Sequence, residues 1–114
     1  MKILVLSLLL TGLLLVPAYA SSLPTLKMLS TPSCPACVQM SKVLDQLNAQ
    51  YEGKLATEKV DVYEQPEIAQ KYNVRYVPHL LFLDAEGKVV EQKVGYLSLE
   101  DVLKTFKASG IEIH

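Results

Sequence analysis

Residues 80–84 read Leu-Leu-Phe-Leu-Asp, four large apolar side chains in a row closed by an acid. A strand sends successive side chains to opposite faces. A strand apolar on both faces therefore has to be a central strand, covered on each side. The rest of the pattern supplies the neighbours and the cover. Ala85-Glu86-Gly87 turns the chain, and Lys88 to Val94 returns as a hairpin partner. Thr25 to Ser30 is a first strand, with Leu26, Met28 and Ser30 on one face and Lys27 and Leu29 on the other. Cys37, Met40, Leu44, Leu47 and Tyr51 recur at helical spacing, and Gly53 ends that helix. Leu55 to Val62 alternates as a second strand. Pro66 opens a short helix that turns Ile68, Ala69 and Tyr72 inward. Ser98 caps a last helix, Leu99 to about Lys107, whose stripe is Leu99, Val102, Leu103 and Phe106. The order is β-α-β-α-β-β-α, an α/β class with a central mixed sheet flanked by helices. The crossover helix makes the first two strands parallel, and the closing hairpin is antiparallel.

The amino terminus reads differently. Lys2 is followed by an apolar run from Ile3 to Val16, then Pro17 and the small-x-small sequence Ala18-Tyr19-Ala20. That is the layout of a secretory signal peptide, residues 1–20. The run falls short of the roughly 20 residues that span a bilayer, although an uncleaved anchor stays open as the alternative. Cleavage near Ala20 leaves one domain, residues 21–114, expected outside the cytoplasm and in a periplasm. The whole chain carries 11 basic and 12 acidic residues. A balance this even gives no basic stripe for nucleic acid.

Export decides how the two cysteines read. Cys34 and Cys37 are the only ones, in Thr-Pro-Ser-Cys-Pro-Ala-Cys at 31–37. Disulfides persist outside the cytoplasm. A loop this short restrains the unfolded chain little, so a staple is a poor use of the spacing. At the mouth of the first helix Cys34 meets unpaired N–H groups and the positive end of the dipole, which favour a thiolate. Cys37, one turn in, begins the buried stripe. This gives an exposed nucleophile with a buried resolving partner. Pro35 is tolerated in the first turn and removes one donor, and Ala36 adds no charge.

Beside "CPAC" stand Lys59 to Gly95, which include "YNVRYVPHLLF", and the final amphipathic helix. Together these resemble the thioredoxin superfamily over most of the mature chain. The resemblance implies the thioredoxin fold and a redox-active Cys34–Cys37 disulfide with no other cofactor. It implies that Pro78 is a cis-proline packed on the cysteine pair. It also implies that Val77 offers backbone groups to an extended substrate segment, with Gly95 near the same groove. Tyr76 and Tyr96 flank that groove. The chain also departs from the family. Ser33 stands where thioredoxins carry Trp, and Pro35-Ala36 replaces Gly-Pro. Met28 occupies the place of a buried Asp that helps move a proton from the inner thiol. Lys59 matches the family's lysine beside that Asp, so Lys59 or a water is expected to take over; an exposed strand lysine is the plain reading. The Gly-Gly that helps glutaredoxins bind glutathione is missing after Val94-Gly95-Tyr96.

His79 is a further modulator if it faces the sulfurs, and a packing residue if strand alternation turns it away. Glu64, Glu67, Lys71 and Arg75 read as a solvated face. The expected function is an exported thiol–disulfide oxidoreductase, working as a reductase fed by a membrane or exported electron donor. Its expected partners are exported protein thiols and disulfides, and it is expected to be a monomer. Direction stays open, with oxidase or isomerase as variants. The alternative from another class is a Cu(I) or heavy-metal carrier using the same thiolates with Met28 or Met40, whose soft sulfur suits that ion. No zinc site is expected, because there is no second cysteine pair.

Overall fold

The computed structural model describes residues 23–114. The predicted leader, 1–20, lies outside the described residues. The elements follow the expected order: β1 (Thr25–Ser30), α1 (Pro35–Gln50), β2 (Ala56–Asp61), α2 (Pro66–Lys71), β3 (His79–Leu83), β4 (Val89–Val94) and α3 (Leu99–Ala108). The four strands form one sheet in the order β2-β1-β3-β4. β1 pairs with β2 in parallel, and with β3 antiparallel; β3 and β4 form the antiparallel hairpin. The mixed sheet follows from the connections, since α1 carries the chain across between parallel strands while a three-residue turn reverses it.

The doubly apolar strand is central, as its sequence requires. Leu80 and Phe82 of β3 face one layer, together with Leu26 and Met28 of β1, Met40, Val43, Leu44 and Leu47 of α1, and Val102 and Phe106 of α3. Leu81 faces the other layer, with Leu29, Val60 and Val62, under Ile68, Ala69 and Tyr72 of the α2 segment. Leu80, Leu81 and Phe82 are fully buried. Each such side chain stabilises the fold by about 1.5–3 kcal/mol relative to exposure, so a polar residue at any of the three would be costly. Among the described residues no helix is long and apolar enough to cross a membrane.

The ends of the elements are set locally. The Ser98 hydroxyl accepts from the Asp101 N–H at 3.1 Å, capping α3 as expected. β1 falls at Thr25–Ser30 as expected, and some ends of the other strands differ by one residue. β3 starts at His79 rather than Leu80, because His79 pairs with both Leu29 and Val94 as soon as the chain leaves Pro78.

Candidate active site

α1 begins just beyond the carboxyl end of β1, an interior strand of the sheet. Cys34 is its N-cap, with extended backbone (φ −136°, ψ 100°). The usual cap is an oxygen; here the Cys34 sulfur does that work, accepting the Cys37 N–H at 3.0 Å. The Cys34 carbonyl accepts the Val38 N–H at 3.1 Å, the first full helical bond. Pro35 occupies the first helical position, where its missing N–H leaves nothing unmade. Cys34 and Cys37 are joined as a disulfide, with Cα atoms 5.1 Å apart.

A second segment closes on the sulfur from 43 residues away. The Cys34 Sγ lies 3.8 Å from the Val77 carbonyl oxygen. The Val77–Pro78 peptide is cis, and Pro78 is fully buried. The Gly95 N–H donates to the Pro78 carbonyl at 2.8 Å, which ties the end of β4 to the same spot. Gly95 has φ 99°, a conformation that glycine adopts without the strain a Cβ brings. Tyr76 and Tyr96 stand exposed on either side of this junction.

Two effects oppose each other at Cys34 once the pair is reduced. The Cys37 N–H and the helix dipole favour a thiolate, whereas the Val77 carbonyl favours a thiol that can donate to it. The N–H contact at 3.0 Å is a close hydrogen bond, while the carbonyl at 3.8 Å sits at the outer limit for sulfur. The Cys37 N–H is the closer of the two contacts to the Cys34 sulfur.

The outer sulfur is less open than expected. Cys34 is 9% exposed and Cys37 4%. This corrects the expectation of a freely exposed nucleophile. The disulfide partner and the Val77–Pro78 segment cover Cys34, although Ser33, Pro35 and Ala36 beside it are exposed. Both cysteines line a cleft of about 340 Å³, with Met28, Ser30, Ser41 and Lys59.

The other expected residues sort by sheet face. Met28 and Lys59 are register partners on β1 and β2, and both line the cleft. Lys59 is not free: its Nζ is 2.8 Å from Asp45 Oδ1 on α1. His79 takes the opposite face, beside Leu29 and Leu81, with Nε2 2.7 Å from Gln92 Oε1 and Nδ1 buried without a hydrogen-bond partner. That is the packing position. Met40 is buried, and its sulfur accepts the Leu97 N–H at 3.4 Å, so of the two methionines only Met28 reaches the cleft. Among the described residues no group of three or more His, Cys, Asp or Glu side chains is placed to hold a metal ion. Glu64, Glu67, Lys71 and Arg75 are exposed. Ser41 and Asp45 carried no expectation from the sequence. Their spacing of four from Cys37 and from each other, one row along α1, is the signal that would have marked them.

Comparison with known proteins follows the same lines. Residues 15–110 match the family described as thioredoxin-like domain. A thioredoxin of Chlorobaculum thiosulfatiphilum is 39% identical over 71 residues, covering 62% of this chain and 65% of that protein. The chain thus spans just under two thirds of that relative's length. A thioredoxin of Synechocystis is 35% identical over 92 residues, covering 81% of this chain and 80% of its own length. Among solved structures, a thioredoxin-like protein from Clostridium perfringens superposes with a TM-score of 0.70 at 27% identity, over 82% of this chain and 75% of that one. With its mixed four-stranded sheet and a cysteine pair opening the helix after β1, the chain belongs to the thioredoxin superfamily.

Proposed function

We propose that the protein is an exported thiol–disulfide oxidoreductase that reduces disulfides in other exported proteins. The observation that carries this reading is the Cys34 sulfur. It caps α1 at 3.0 Å from a backbone N–H and faces the Val77–Pro78 segment across which a substrate strand can lie. In the reduced protein the Cys34 thiolate attacks one sulfur of a substrate disulfide. A Cys34–substrate disulfide forms, and the other substrate sulfur leaves as a thiolate, which takes a proton from water. Cys37 then loses its proton and attacks Cys34 Sγ. The Cys34–Cys37 bond forms and the second substrate sulfur departs. Two electrons pass from the cysteine pair to the substrate, and a membrane or exported dithiol donor restores them.

The groove residues have separable tasks. Val77 presents its backbone to an extended segment, and Gly95 keeps the opposite wall free of a side chain. Tyr76, 72% exposed, supplies apolar area for residues flanking the substrate cysteine. Pro35 and Ala36 leave the rim uncharged, so backbone groups dominate the potential of the pair. The protein acts as a monomer, in the periplasm after loss of its leader.

Turnover of insulin disulfides in the presence of a dithiol tests the reaction. It should be abolished in Cys34→Ser, and Cys37→Ser should accumulate a covalent protein–substrate adduct. Tight stoichiometric Cu(I) binding with no turnover would refute the reading in favour of a metal carrier. The equilibrium potential tests direction. Thiol–disulfide proteins span about −270 to −120 mV, and a value near the oxidising end would replace reductase by oxidase.

A further inference from the structure

The connection from β4 to α3, residues 95–98, borders the groove assigned above and belongs to no helix or strand. Its amides have no ladder to join, so their partners decide where it lies. Two of them are tied to different parts of the fold. The Gly95 N–H donates to the Pro78 carbonyl at 2.8 Å. The Leu97 N–H donates to the Met40 sulfur at 3.4 Å. Tyr96, 53% exposed, stands between the two ties. Met40 is fully buried on α1, the helix that Cys34 caps, and Leu97 packs on the same core cluster. The helix that carries the attacking sulfur therefore also holds this segment. Periodicity explains why residue 40 is apolar and not why it is methionine. Leucine would fill the same place on the stripe, since volume-conserving swaps in a core cost little. Among large aliphatic side chains only methionine brings an acceptor, a weak one.

We propose that Met40 is a positioning residue for protein substrates: its sulfur fixes the 95–98 segment, and with it Gly95 and Tyr96, in the form that an extended substrate segment meets. The proposal rests on the groove reading given under the function above. The thioether takes no part in the exchange, so the bonds made and broken are those of the exchange itself. With the segment held in advance, a substrate does not have to order it on binding. Loss of the tie leaves the half-buried Leu97 N–H without its acceptor and frees the segment to sample other positions. A small disulfide, which meets Cys34 without lying along the segment, is indifferent to that loss.

Met40→Leu keeps the volume and removes the acceptor. Norleucine in place of methionine removes the sulfur and nothing else. With Met28→Leu carried in both the methionine and the norleucine protein, Met40 is the only residue replaced among the described residues. Each protein is assayed with insulin, and with 5,5′-dithiobis(2-nitrobenzoate) as the small disulfide. On losing the sulfur, KM for insulin should rise about two- to fivefold, the factor that one weak hydrogen bond supplies. Neither kcat nor the rate with the small disulfide should change, and the methionine protein should keep the lower KM. Amide exchange at Leu97 should quicken by at least the same factor, while that at Leu81 in the centre of β3 holds. Unchanged exchange at Leu97 would overturn the proposal, as would quicker exchange with KM unmoved. Equal losses with insulin and the small disulfide would also overturn it, because they mark a shift of α1 itself. Wild-type protein that reacts with the small disulfide and never with insulin would instead overturn the groove reading, and this proposal with it.

Discussion

Replacing Phe106 by alanine tests whether α3 is held to the sheet as the packing implies. Phe106 is fully buried, and its ring meets that of Phe82 edge-on, centroids 5.0 Å apart at 70°. Phe82 belongs to β3, the strand that begins directly after Pro78. Removing a buried phenylalanine ring costs about 3–5 kcal/mol in lost transfer and residual cavity. The edge-on pair contributes about 0.5–1.5 kcal/mol of that. A domain of this size has a total stability of about 5–15 kcal/mol, so the loss takes a large share. At about 4–8 °C per kcal/mol, the midpoint of thermal unfolding should fall by at least about 12 °C. Urea unfolding of the oxidised protein gives the free energy directly. Phe106→Leu keeps most of the volume and guards against a variant that does not fold. Combined with Phe82→Leu in a double-mutant cycle, it should return a coupling of about 0.5–1.5 kcal/mol. Neither ring lines the cleft at the sulfurs, so Phe106→Leu should keep its insulin turnover at temperatures where it is folded. A loss below about 1 kcal/mol for Phe106→Ala, or zero coupling, would refute the packing argument.

Ser98→Ala removes the acceptor for the Asp101 N–H and should cost about 1 kcal/mol in urea unfolding, with no change in the redox reaction. Gln92→Ala leaves the buried His79 ring without its partner on Nε2, while Nδ1 already has none; the expected cost is about 1–3 kcal/mol by the same measurement. Gly95→Ala forces a Cβ onto a backbone at φ 99°, though the space around it is open. The strain should cost about 1–3 kcal/mol, and if the proposed groove runs past Gly95, KM for a protein disulfide should rise more than kcat falls.

Periodicity carried the fold because each element's apolar residues face a layer that exists. Leu80, Leu81 and Phe82 needed cover on both sides and received it. The chemistry of the pair was legible too, because an N-cap sulfur and a buried residue one turn on are consequences of local geometry. Burial of Cys34 was not legible. It depends on Val77, 43 residues away, and nothing in a seven-residue motif reports what a distant loop will cover. The orientation of His79 was undecided for a related reason. It turns on whether β3 begins at residue 79 or 80, because alternation fixes the face of a side chain only within the strand. Asp45 escaped notice because its partner, Lys59, is brought to it only by the docking of α1 on β2.

The position of that acid matters for the fold. A carboxylate at residue 28 would lie in the main core, where Met28 is 2% exposed. Burying an unpaired charge there costs several kcal/mol, unless the group takes up a proton. Methionine instead adds apolar contact to the layer under α1. At residue 45 the carboxylate side chain is 67% exposed and paired with a lysine 42% exposed. Such a pair adds at most about 1 kcal/mol to stability, but its desolvation cost is also small. A charge pair at the rim of the cleft is therefore cheap for the fold. Asp45→Asn should hardly move the midpoint of urea unfolding, and a loss above about 1 kcal/mol would refute that reading.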